Sequence, residues 1–304
     1  MKTIINKKKL IVINLFLVIV LMITSVAAWF VSAYSNSVYS NEVKVRADGA
    51  LELSVTGNDT DFHSSINLSD YNWFQHAKFS DVTGSGDGNF VRPALTQYPD
   101  YAAVNTSGTW STPSVSTDTT EGDYVKFKLY MRSEDPMDVY LGEDSSVEPS
   151  VGIENLINTT TQTFSGDLIV GALRLSACTS GTNTRMFTWI PKPEIFVSDD
   201  ASQRSITFSD ISVNKTSGAS YTHSYYDSSK RKQSATLNVL TGDITSSSRI
   251  KLATLSKASE SDKYYTGQVD MYVWLEGCDN EARRAFVNGK FLVNLNLEAQ
   301  DPNA

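Results

Sequence analysis

Three histidines, two cysteines and a surplus of carboxylates are the side chains through which this 304-residue chain could do chemistry. Their spacing assembles none of the usual catalytic sets. His63, His76 and His223 stand far apart, outside any HExxH or HxH pattern and away from both cysteines, so zinc-ligand spacing is missing. There is no GxSxG nucleophile elbow, no GxxxxGK[ST] phosphate loop and no GxGxxG opening a helix. Paired carboxylates are numerous, as in any acidic chain, and by themselves carry no glycosidase signal. The expectation is therefore no catalytic residue, no cofactor and no enzyme activity.

Two arrangements still point to chemistry. In DVTGSGDGN the oxygen-bearing side chains Asp81, Thr83, Ser85 and Asp87 alternate as in the front half of a calcium loop. The twelfth position from Asp81 is Arg92, where an EF-hand needs a bidentate Glu, which leaves an irregular structural calcium site or a flexible glycine loop. Cys178 and Cys278 are the only cysteines. In an oxidising compartment they could close a loop of about 100 residues, worth roughly 4.7 kcal/mol in the chain-entropy account, provided their Cα atoms approach within about 7 Å.

The elements that must position these groups read mainly as β-strands. DYVKFKLYM (Asp123 to Met131) alternates strictly, with Val125, Phe127 and Leu129 on one face and Lys126, Lys128 and Tyr130 on the other. GQVDMYVWLEG (Gly267 to Gly277) and KFLVNLNLEA (Lys290 to Ala299) repeat the pattern. Shorter strands are expected in Val43 to Ala47, Leu51 to Val55, Met137 to Leu141, Leu168 to Ala177, Ser205 to Phe208 and Ala235 to Leu240. Helical signals are brief: Cys278 to Phe286, with Asp279 as N-cap, and Leu68 to Ala77. Short strands separated by Ser/Thr/Gly-rich loops predict an antiparallel, jelly-roll-like β-sandwich over residues 43–304, as one elaborated domain. Trp274, Tyr272 and Glu276 share the second face of their strand, and the segment around them reads as a closing hairpin with the last strand. The block is either a structural clasp or a binding site built on Glu276, Asp279 and Glu281.

The amino-terminal end places the body. Lys2, Lys7, Lys8 and Lys9 precede an apolar run, Leu10 to Ile23, of signal-peptide length; extended to Val31 it is 22 residues, enough to cross a bilayer. Residues 1–33 are thus a signal peptide or an amino-terminal membrane anchor, with candidate cleavage after Ala27, Ala28 or Ala33, and the lysines put the body outside. The rest of the chain is acidic, 34 Asp and Glu against 26 Lys and Arg overall, which excludes nucleic acid as a partner. Residues 34–42 form a polar spacer or, once freed, a donor strand for self-assembly.

Several motifs resemble a large group of Gram-positive, clostridia-type surface proteins. They are AAWF at Ala27 to Phe30, NEVKVRADGALELSV, MRSEDPMDVYLGEDSSVEP, GALRLSA, WIPKPEI and above all VDMYVWLEGCDNEARRAFVNGKFLVNLNLEA. AAWF is similar to the end of SipW-dependent-type signal peptides, whose better-known carriers are TasA-like biofilm matrix proteins with a jelly-roll sandwich. The resemblance implies export and a β-sandwich, and it implies no catalytic residues. The functional expectation is an exported, non-catalytic cell-surface or matrix protein of structural or adhesive kind, membrane-anchored or secreted. The alternative is a carbohydrate-binding surface module, in which loop aromatics such as Trp73 and Trp110 stack on sugar rings.

Overall fold

The computed structural model describes residues 42–47, 50–79, 82–93, 108–197, 207–213, 223–235, 237–279 and 289–302. The apolar run Leu10 to Val31, the candidate cleavage positions Ala27, Ala28 and Ala33, and the spacer up to residue 41 lie outside them. No helix among the described residues is long and apolar enough to cross a membrane. The chain divides into Met1–Ser35 and Asn36–Ala304, and every described residue belongs to the second unit.

The described strands are, in chain order, β1 (Glu42–Ala47), β2 (Glu52–Ser54), β3 (Ser65–Asn67), β4 (Val125–Ser133), β5 (Asp138–Leu141) and β6 (Ser146–Pro149). There follow β7 (Ile157–Asn158), β8 (Thr163–Phe164), β9 (Leu173–Thr179), β10 (Thr184–Ile190), β11 (Ile195–Val197) and β12 (Ile211–Val213). The last are β13 (His223–Tyr226), β14 (Lys232–Ala235), β15 (Val239–Thr241), β16 (Ile250–Thr254), β17 (Tyr265–Leu275) and β18 (Phe291–Gln300). One sheet runs β16-β5-β18-β1-β3, with β6 also paired to β18; the other runs β15-β10-β9-β17-β4-β2. The alternation read in the sequence decides what lies between them. Val125, Phe127, Leu129, Val269, Met271 and Val273 of the second sheet meet Val45, Phe291, Val293, Leu295 and Leu297 of the first in one core. The protein is a mainly β sandwich.

Four local expectations are corrected. The apolar run Leu168 to Ala177 opens as a 3-10 helix, Gly166–Ala172, and only then becomes β9. Residues 235–240 are divided by a turn between β14 and β15. Phe208 begins a 3-10 helix, Phe208–Asp210, while Ser205 and Ile206 lie outside the described residues. Leu68 to Ala77 is helical only in pieces: a 3-10 turn at Leu68–Asp70 and one α-helical turn, α1 (Asn72–Gln75).

Topology brings two larger corrections. The sandwich is not wholly antiparallel: β1 pairs parallel with β18, and β10 with β15. The anticipated closing hairpin does not form either. Both long edges of β17 are taken, by β4 and by β9, so β18 has no edge to join and crosses to the other sheet. Glu42, placed in the spacer by the sequence, is already in β1 opposite Leu292.

The crossing is held by a buried carboxylate. Asp167 accepts from the backbone N–H of Lys290 at 2.8 Å and from that of Val151 at 3.0 Å. It thereby ties the start of β18 and the turn after β6 to the 3-10 helix that leads into β9. Gly289 passes so close that a Cβ there would meet the Gly166 carbonyl oxygen at 2.1 Å. Backbone cannot swing aside as a side chain can. Gly289→Ala is expected to lower unfolding free energy in urea by about 3 kcal/mol, the upper range for overpacking, with an unchanged m-value. A loss within 0.5 kcal/mol would show that the crossing is not tightly held.

Candidate functional site

The second face of β17 carries the block singled out by the sequence. Tyr272 and Trp274 point away from the main core and, with Val82, Phe90 and Cys178, make a smaller apolar cluster with Tyr124 packed against it. The Phe90 ring lies 4.9 Å from Trp274 and 4.7 Å from Tyr124. At its rim, Lys126 stands 5.2 Å over the Tyr272 ring and 3.6 Å from Asp270.

This cluster is roofed by residues 82–91, the stretch whose alternating oxygens suggested calcium. The stretch is a strap laid across the sheet, and its successive carbonyls are anchors. His223 Nε2 donates to Gly84 O at 2.9 Å. Arg185 Nη1 and Thr188 Oγ1 donate to Ser85 O at 2.9 and 2.8 Å. Ser176 Oγ and Cys178 Sγ donate to Gly86 O at 2.6 and 3.3 Å. The spacing of the glycines follows from this contact. Gly86 and Gly88 hold φ of +91° and +86°, and a Cβ on them would strike Thr188 Oγ1 at 2.6 Å and Tyr272 Oη at 2.7 Å.

Of the side-chain oxygens proposed as calcium ligands, those of Thr83 and Asp87 accept from separate protein donors. Thr83 Oγ1 accepts from the Tyr226 N–H at 2.9 Å. The Asp87 carboxylate turns back onto Asn89, accepting from its backbone and side-chain nitrogens at 3.0 and 3.2 Å. Asp81 lies outside the described residues, and the contacts of Ser85 are those of its backbone carbonyl. Among the described residues no three His, Cys, Asp or Glu side chains are grouped to hold a metal ion.

At the end of the strap the chain is stitched to β17. Val82 pairs with Glu276, Gly277 N donates to Val82 O at 2.7 Å, and Glu276 N donates to Ala172 O at 2.8 Å. The Glu276 side chain is fully buried. Its oxygens accept from Trp274 Nε1 at 3.3 Å and Cys278 N at 3.4 Å. Burial, and then the neighbouring Asp279 charge, push its pKa up to about 8, so the acid is neutral over most of the working range. Arg174, a lone cation in an apolar strand, donates to the carbonyls of Gly171 and Leu173 at 2.7 and 2.9 Å and pairs with Asp279. Glu281 lies outside the described residues. His223 is equally buried, and its pKa is depressed to about 3 by burial and then by the Arg174 charge. Because a carbonyl can only accept, Nε2 carries the ring proton. His223 Nδ1 and Arg174 Nε make no hydrogen bond among the described residues.

The two cysteines do not pair; both thiols are free. Cys178 sits opposite Asp270, whereas Cys278 follows Glu276 by two residues. The six strand steps from Asp270 to Glu276 span about 20 Å, far beyond disulfide reach. Burial raises Cys178 to about 12 and Cys278 well above the ordinary thiol value, so neither is a thiolate near neutrality.

Sequence reasoning found the Trp274 and Glu276 pair and missed Arg174, His223, Ser176 and Tyr226. The usable signal was Arg174, because a cation inside a buried strand requires a carboxylate partner. Of the loop aromatics, Trp73 is packed, lying near-parallel to Tyr71 at 5.5 Å and Phe127 at 5.6 Å. Trp110 is half-buried, 5.6 Å from Tyr226. No protein-family model, curated protein or solved structure matches the chain.

Two measurements follow. His223 stays neutral in the fold but takes a proton below pH 6.5 when unfolded, so its contribution is lost as pH falls from 6.5 toward 3. Glu276 stays protonated in the fold but ionises above 4.5 when unfolded, so its contribution is lost as pH rises from 4.5 toward 8. The slopes oppose each other between pH 4.5 and 6.5. The thermal midpoint is expected to be flat there and to fall on both sides, with Glu276→Gln flattening the alkaline limb and His223→Gln the acid limb. Separately, a thiol reagent at pH 7.5 without reductant should find no reactive cysteine in the native protein and two after denaturation; none after denaturation would mean a disulfide.

Proposed function

We propose that this is a non-catalytic exported protein of the cell surface or extracellular matrix, anchored by or cleaved after residues 10–33, with a structural or adhesive β-sandwich outside. The supporting observation is the fate of the most chemically loaded block in the chain. Glu276 is turned inward as a neutral acid held by Trp274 and Cys278, its backbone pairs with Val82 of the strap, and Asp279 is paired with Arg174. A site so arranged holds backbone together and presents no reactive group to a substrate. The amino-terminal lysines and apolar run support export.

One observation favours the carbohydrate-binding alternative. Half-buried Trp110 lies beside Tyr226, with Lys230 Nζ 6.0 Å from the ring, a grouping of aromatic and cationic side chains of the kind that sugars stack on. Trp73 packs against the rings of Tyr71, Phe74 and Phe127. Cell fractionation with mass spectrometry of the mature amino terminus should find the body in the membrane or medium. A cytosolic body with Met1 and no membrane association would remove the proposal. On a glycan array, binding lost in Trp110→Ala and kept in Trp73→Ala would move the reading to the carbohydrate module.

A further inference from the structure

β1 and β18 are the first and last strands of the described body, and they lie side by side and parallel. Six consecutive residues are in register, Glu42 opposite Leu292 through Ala47 opposite Leu297. Had the pair been antiparallel, both chain ends would leave the sheet at one end. In the parallel pair the chain before Glu42 leaves at the Leu292 end, and the chain after Gln300 leaves at the other.

Tension applied through the two chain ends therefore runs along the strands. It loads the β1–β18 ladder in shear, so the registered pairs must give way together. A pull across the strands would open them one at a time. Neither strand can peel from an edge. β1 is held on its other side by β3, and β18 by β5 and β6. Sliding one past the other would also drag Val45, Val293, Leu295 and Leu297, all 2% exposed or less, through the packed core.

We propose that this ladder is a load-bearing clamp, through which the body withstands tension between its two chain ends. The clamp follows from strand order and register alone. Its use at a surface rests on the function proposed above, because an exported protein tethered at one end and engaged elsewhere is pulled in this direction.

The test is single-molecule force spectroscopy on the full chain in detergent micelles, with peptide tags as handles. In one version the tags sit within residues 36–41 and behind Ala304. In the other they sit within residues 36–41 and at the exposed Val151, in the turn after β6 at the same end of the sheet. At equal loading rate the end-to-end geometry should rupture at no less than twice the force of the same-end geometry. In the end-to-end geometry Val45→Ala should lower that force, whereas Leu255→Ala, equally buried but outside the ladder, should leave it unchanged. Equal forces in the two geometries, or an equal drop in both variants, would overturn the clamp. Neither result depends on where the protein resides in the cell, so fractionation and pulling can fail independently.

Discussion

Everything in the body depends on β17 being apolar on both faces. Val269, Met271, Val273 and Leu275 fill the sandwich core, while Tyr272 and Trp274 point the other way. A strand of that kind cannot leave either face in water, and in an antiparallel sheet one face is commonly solvated. The strap over residues 82–91 resolves the conflict by making a third layer. A strap is backbone, however, and buried carbonyls must find donors. The sheet supplies them from Ser176, Cys178, Arg185 and Thr188, and the β13–β14 hairpin supplies His223. The polar residues on the outer face of β9 and β10 are therefore as much a part of the packing as the aromatic ones beside them.

Dry surroundings then decide the state of every ionisable group caught inside. An isolated charge there is costly, so each group is paired or neutral. The guanidinium of Arg174 is faced by Asp279 and two backbone carbonyls. Glu276 and His223 form no ion pair among the described residues and are held uncharged chiefly by burial, one pushed up and the other down. The two shifts oppose each other in their effect on stability, so this buried cluster favours mildly acid conditions over either extreme.

Period-two alternation is a local property, and what it governs was legible. β4, β17 and β18 stand within two residues of where their apolar residues put them, because each buries one unambiguous face. The run from Leu168 was not legible as a helix followed by a strand. Residues buried on all sides lose the alternation that tells the two apart, and Asp167 through Cys178 are all buried. Alternation also says nothing of neighbours. That β18 leaves β17 for β1 depends on both edges of β17 being occupied, by strands about 90 and 140 residues earlier in the chain. Of the three-residue edge strands, β2 falls inside the run Leu51 to Val55 read from the sequence, whereas β3 is too short to show a period of its own and is set by β1 beside it.

The site failed to read for a sharper reason. Alternating glycines and small oxygen-bearing residues are what a cation loop needs, and they are also what a backbone needs to lie flat on a sheet. Only the partner surface distinguishes the two, and that surface comes from residues 174–188 and 223–226. The perturbed acid and imidazole found there would ordinarily mark a functional site, since shifted groups gather where catalysis needs them. Such a group must also meet a substrate. Here burial is the leading cause of each shift, and the same strap that causes the burial closes the approach. The thiols move toward their unreactive protonated form for the same reason. One layer of chain thus accounts for both the perturbation and the burial, and that combination supports the structural reading proposed above.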